Sequence, residues 1–151
     1  MIPSTEATCL GAAATLPAAT ALNASAVFSP DGSQVLSTSW DWTIILWSVA
    51  GESKVRAFEG HTNTIFRAVF LPQGDYILSS SADKTLRLWD ARRGTSLARV
   101  LGHGASVPAL AVSRDGRYAV SGSEDRTVRL WSLPSAETLA QLAASAAEPR
   151  P

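Results

Sequence analysis

Two histidines, His61 and His103, each follow a glycine, and each precedes a serine and an aspartate at the same distances: Ser81 and Asp83, then Ser123 and Asp125. Ser, His and Asp together can form a nucleophile, a base and an orienting acid. That chemistry needs an exposed hydroxyl, a nearby oxyanion site and a singular arrangement. Here the set is periodic. Ser39, Ser81 and Ser123 are 42 residues apart, and so are Asp41, Asp83 and Asp125. Thr43, Thr85 and Thr127 keep the same interval, as do Trp47, Trp89 and Trp131, and Gly32, Gly74 and Gly116. Catalytic sites are grafted onto folds and do not recur with their period. The repeated set therefore reads as scaffold. A buried Trp N–H needs an acceptor, a hydroxyl and a neutral imidazole each accept and donate, and a carboxylate accepts from side chains and turn N–H groups. Such residues can close a chain of hydrogen bonds.

Other chemistry has less support. Both histidines belong to the repeated set, and the one cysteine, Cys9, lies in an Ala/Thr-rich leader. No HExxH or CxxC spacing exists, and no GxxxxGK[ST], GxGxxG or GxSxG motif occurs. We expect no metal, no cofactor and no enzymatic activity. Thirteen Lys and Arg balance thirteen Asp and Glu, so no broad field draws the chain to nucleic acid or an anionic membrane. Arg92-Arg93 is the best basic pair and reads as a solvated turn. A single thiol forms no internal disulfide, the leader makes a poor secretory signal, and no apolar run is long enough to span a bilayer. The expected location is the cytoplasm, with the nucleus left open.

The elements that position these residues follow from the 42-residue register, which runs without insertion or deletion. In the second unit, apolar alternation and turn residues predict strands near Ile65–Phe70, Tyr76–Ser80, Thr85–Trp89 and Ser96–Val100. Shifting the register predicts second strands at Gln34–Thr38 and Tyr118–Gly122, and fourth strands near Lys54–Phe58 and Thr138–Leu142. The stretch Ala136–Ala147 is Ala-rich and also fits a helix; strand is the expectation by analogy with Ser96–Val100.

The Gly-His pair, the Asp-Gly or Gln-Gly turn and the segments SWDWTIILW, SADKTLRLW and SEDRTVRLW resemble the WD-repeat family. A repeat of about 40–45 residues with this signature marks propeller blades. The resemblance implies an all-β chain of three four-stranded antiparallel blades, an open wedge unless oligomerisation or a partner completes the ring. It divides the chain into a disordered leader (1–17), repeats at 18–59, 60–101 and 102–144, and a disordered tail (145–151). It also implies hydrogen-bonded tetrads of His61, Ser81, Asp83 and Trp89, and of His103, Ser123, Asp125 and Trp131. Unit one has Ser39, Asp41 and Trp47, but Ala18-Ala19 stand in place of Gly-His, and Asn23 replaces the apolar residue seen as Ile65 and Val107. Its tetrad should be incomplete, with Ser39 or Trp47 under-satisfied and the strand near Ala24–Phe28 the least well held.

Specificity is expected where the units differ. The turn between second and third strands carries Ala82 and Lys84, Glu124 and Arg126, but Trp40 and Trp42 in unit one. Tryptophan is enriched among interface anchors. Trp40, Trp42, Lys84, Arg126, Phe66 and Arg67 are the candidate protein-binding residues. Packing of the two tryptophans on a neighbouring blade or on the leader is the alternative. The family resemblance implies a scaffold that binds other proteins in an assembly or signalling context. A closed propeller needs about four to eight blades, so the chain either pairs with a second copy, completes another protein's ring, or is part of a larger propeller protein. An enzyme subunit with a channel site has no singular titratable residue to support it.

Overall fold

A computed structural model describes Leu16 and residues 22–147. Cys9, Ala18-Ala19 and most of the 1–17 leader lie outside the described residues, as do residues 148–151 of the tail.

Blade one comprises β1 (Asn23–Phe28), β2 (Gln34–Ser39), β3 (Ile44–Ser48) and β4 (Ser53–Phe58), paired in that order. Blade two repeats it with β5 (Ile65–Phe70), β6 (Tyr76–Ser81), β7 (Leu86–Asp90) and β8 (Ser96–Val100). The third sheet holds β9 (Ala109–Val112), β10 (Tyr118–Gly122) and β11 (Val128–Ser132). All pairs are antiparallel. Registers repeat with the sequence: Ile77 faces Trp89 and Ala119 faces Trp131, as Val35 faces Trp47. Irregularities repeat too. One residue bulges between Asn23 and Ser25 and another between Ile65 and Arg67. Pro108 holds that position in unit three, where regular pairing begins one residue later, at Ala109. A proline has no N–H for a ladder, so the bulge suits it.

The expectation of a fourth strand at Thr138–Leu142 is corrected: Ala136–Ala146 is a helix, α1. The reason lies in the turn that should precede the strand. In blade two, the Asp90 carboxylate accepts from the N–H groups of Arg92 and Arg93, and Gly94 adopts φ +76° before β8 begins. Their unit-three counterparts are Ser132, Pro134, Ser135 and Ala136. The carboxylate is gone, Pro134 has no N–H, and a Cβ stands where glycine accepted a left-handed backbone. Ser135 instead caps a helix, its hydroxyl accepting from the Thr138 N–H, with Glu137 in the first turn. Alanine then favours helix over strand. Leu139 and Ala143, one turn apart, are its buried face. Ser145 and Ala146, assigned to the tail, are part of this helix.

Blades stack through their apolar faces. Leu36, Ile44, Leu46 and Phe58 of blade one meet Ile65, Ala68, Phe70, Ile77 and Trp89 of blade two in one core. Leu78, Leu86 and Leu88 of blade two meet Val107, Leu110 and Ala119 of blade three in a second, which Leu139 of α1 joins. The next face in this series is open. Val120, Val128 and Leu130, the register counterparts of Leu78, Leu86 and Leu88, are 38%, 75% and 72% exposed where the latter are at most 3%.

Candidate functional site

Each blade carries a hydrogen-bond chain between its middle strands, and in blades two and three it reaches the loop entering the blade. In blade two, Trp89 Nε1 donates to Ser79 Oγ at 2.8 Å, and Ser79 Oγ lies 2.8 Å from His61 Nε2. His61 Nδ1 lies 2.7 Å from Asp83 Oδ2. The carboxylate also accepts from Thr85 Oγ1, from the Thr85 N–H and from the Thr62 N–H. The carboxylate can only accept, so His61 Nδ1–H donates to it; in the neutral imidazole Nε2 then accepts from the Ser79 hydroxyl, whose oxygen accepts from the indole N–H. Blade three repeats the chain with Trp131, Ser121, His103 and Asp125 at 2.8, 2.7 and 3.0 Å.

The serine of each tetrad is therefore Ser79 or Ser121, which corrects the assignment of Ser81 and Ser123. Strand geometry explains the difference. Trp89 sits opposite Ile77, so Ser79 is its diagonal neighbour on the same face and Ser81 lies a further step away. Ser37, Ser79 and Ser121 share the 42-residue interval, so the signal was present in the sequence and only the pairing register selected among the serines. Ser81 does separate work: its hydroxyl donates to the Thr64 carbonyl at 2.8 Å and accepts from the Asp83 N–H. Ser123 does the same with the Ala105 carbonyl and the Asp125 N–H.

In unit one Trp47 is not under-satisfied. Its Nε1 donates to Ser37 Oγ at 2.8 Å, Ser39 Oγ accepts from the Asp41 N–H, and Asp41 accepts from Thr43. β1 forms the same ladder as β5, bulge included.

Ser79 is fully buried, His61 is 5% exposed, and the serine oxygen already accepts from an indole N–H. A substrate cannot reach that hydroxyl, so the arrangement is a structural network and not a nucleophile with its base. The network still shapes charge. Burial raises the Asp83 pKa, but the hydrogen bonds from His61 and Thr85 outweigh it and hold the carboxyl below its ordinary value. Asp125 is likewise held low, chiefly by the Thr127 hydroxyl.

The candidate binding residues sit at the rim. Trp42, Lys84 and Arg126 occupy the same turn position and share left-handed backbone, φ +72°, +72° and +69°. The turns are tied identically to the strand entry: Trp40 N–H donates to the Leu22 carbonyl, Ala82 N–H to Thr64 and Glu124 N–H to Ser106. Trp40 and Trp42 are 53% and 49% exposed, and Leu22 beside them is exposed as well. Each of the two tryptophans keeps about half of its surface open to solvent. Lys84, Arg126 and Arg67 are exposed, and Phe66 is half-buried at the bulge.

The family model described as WD domain, G-beta repeat matches residues 14–48, 52–90 and 94–132. Each match ends with the third strand of a blade, so the family's unit starts before the outer strand of one blade is complete. Many solved structures are similar, two of them as follows. "Structure of U3-55K" is 27% identical with a TM-score of 0.75, covering 78% of this chain and 38% of that one. "Crystal structure of RRP9 WD40 repeats" is 28% identical with a TM-score of 0.75, covering 78% of this chain and 37% of that one. The chain thus spans under two fifths of the length of either. No curated protein matches it.

Proposed function

Because the chain belongs to the WD domain, G-beta repeat family, we propose that it works as a scaffold that binds another protein through the rim corner formed by Trp40 and Trp42. WD repeats generally serve as protein-interaction scaffolds rather than as enzymes. One observation carries the assignment to this corner: two indoles stand half-exposed on a turn whose counterparts are Ala82 and Lys84, or Glu124 and Arg126. Large aromatic area on a rigid turn loses little conformational freedom on binding, which suits an anchor.

The assembly context is part of the same proposal. The uncovered face at Val120, Val128 and Leu130 supports completion of the ring by further blades, from a second copy or from another propeller segment. The single cysteine supports a reducing compartment, the cytoplasm or the nucleus, as the place of action.

The test is Trp40→Ala with Trp42→Ala, assayed for capture of partners and for thermal stability. Loss of partner binding at an unchanged melting temperature is expected. Unchanged binding with a lower melting temperature would overturn the anchor and make the pair structural.

A further inference from the structure

The two blade interfaces are built from the same register positions, yet they are not equally filled. Between blades one and two, Phe58 is fully buried and meets Trp89 edge-on, with ring centroids 5.9 Å apart. Arg56 extends beside it, its aliphatic stem against Gly94 and its guanidinium donating to the Arg93 carbonyl at 3.1 Å. Between blades two and three the counterparts are Val100 and Ala98. Both are smaller, and an apolar notch of about 180 Å³ opens there. Val100 and Ala98 line one side, Trp131, Leu133 and Pro134 the other. The notch is continuous with the blade interface: Leu78, Leu86 and Leu88 on its floor are buried core residues, while Val100, Trp131 and Leu133 at its sides stay half-exposed.

We infer that this notch is a receptor for one aromatic side chain of a protein partner. The occupant's chemistry is read from the neighbouring interface, where the phenyl ring of Phe58 stands in the same position against the equivalent tryptophan. The volume agrees, since an engineered apolar cavity of about 150 Å³ is known to accept benzene. The lining residues contribute mainly carbon, so they reward burial of a ring and give a charged or strongly hydrated group nothing in exchange for its water. This inference rests on the reading that the chain binds other proteins, but it uses a different surface from the Trp40–Trp42 corner.

The test titrates the full chain with N-acetyl-phenylalanine methylamide, following the Trp131 indole N–H resonance by NMR, with the alanine analogue as control. Expected is a saturable shift with the phenylalanine probe and none with the alanine probe. Val100→Phe fills the notch with the chain's own ring; it should abolish the response and raise the melting temperature. Ala98→Leu, which narrows the other end, gives the same readout if Val100→Phe does not fold. An equal response in the filled variants would overturn the site. Saturation by toluene without any response to the capped amino acid would overturn the side-chain occupant in favour of a free apolar molecule. Trp40→Ala with Trp42→Ala should leave the titration unchanged, which separates this site from the rim corner.

Discussion

Ser79 holds two buried polar atoms at once, the Trp89 indole N–H and His61 Nε2. Leaving a buried donor or acceptor unpaired costs about 1–3 kcal/mol each. Ser79→Ala should therefore destabilise by about 2–4 kcal/mol. Ser37→Ala strands only the Trp47 indole and should cost about 1–2 kcal/mol; urea unfolding of the two variants checks the ordering. The carboxylates give a pH signature. Asp83 and Asp125 are held below the ordinary carboxylate range in the fold. A depressed folded pKa contributes stability that is present above the unfolded value of about 3.9 and is lost as pH falls through the folded one. Unfolding free energy should thus decline below about pH 4, and Asp83→Asn should flatten that decline. Denaturant titrations across the acid range measure both.

At the scale of elements, the helix in place of a fourth strand changes how blade three is secured. β11 keeps one ladder, to β10, where β3 and β7 each keep two. The compensation is the docking of α1, whose Leu139 is 2% exposed and lies in the core between blades two and three. Leu139→Ala should cost about 2–3 kcal/mol, within the range for a buried leucine, and should lower the helical signal in circular dichroism because the isolated segment is too short to hold a helix alone. An unchanged melting curve would mean that α1 does not help hold the blade.

Among the described residues, the stack of three blades leaves an outer face uncovered at each end: Phe28 on blade one is 68% exposed where its counterpart Phe70 is 9%, and Val128 and Leu130 on blade three are 75% and 72% exposed. Val128 and Leu130 are exposed in this chain, yet their register counterparts are core residues. Substituting both with lysine should leave the stability of the monomer within about 0.5 kcal/mol, as is usual for surface positions. The same change should abolish self-association or ring completion if that face mediates it. Sedimentation velocity on the wild type and the double variant checks the prediction. A wild-type assembly that persists in the variant would place the contact elsewhere.

The amino-acid sequence by itself determined the blades. A fixed interval of 42 residues, alternation of apolar positions and turn glycines dictate repeated antiparallel strands, because each unit obeys the same local sterics and buries the same face. It also marked Trp40 and Trp42 as departures from the repeat, and both remain at the surface. The Ala-rich stretch Ala136–Ala147 fits a helix from sequence alone, while analogy with Ser96–Val100 favours strand; the helix forms because Ser132, Pro134 and Ala136 remove the turn chemistry of Asp90, Arg92 and Gly94 and Ser135 caps α1. Which serine joins the tetrad was decided only by tertiary structure. Ser37, Ser39, Ser79, Ser81, Ser121 and Ser123 all keep the period, and only strand pairing puts one of each pair diagonal to the tryptophan. The notch between blades two and three likewise has no signature in any one unit. It arises because Val100 and Ala98 face residues of the next blade across a gap that Phe58 and Arg56 fill one interface earlier. Volume across an interface is a property of two sheets together, not of the sequence of either.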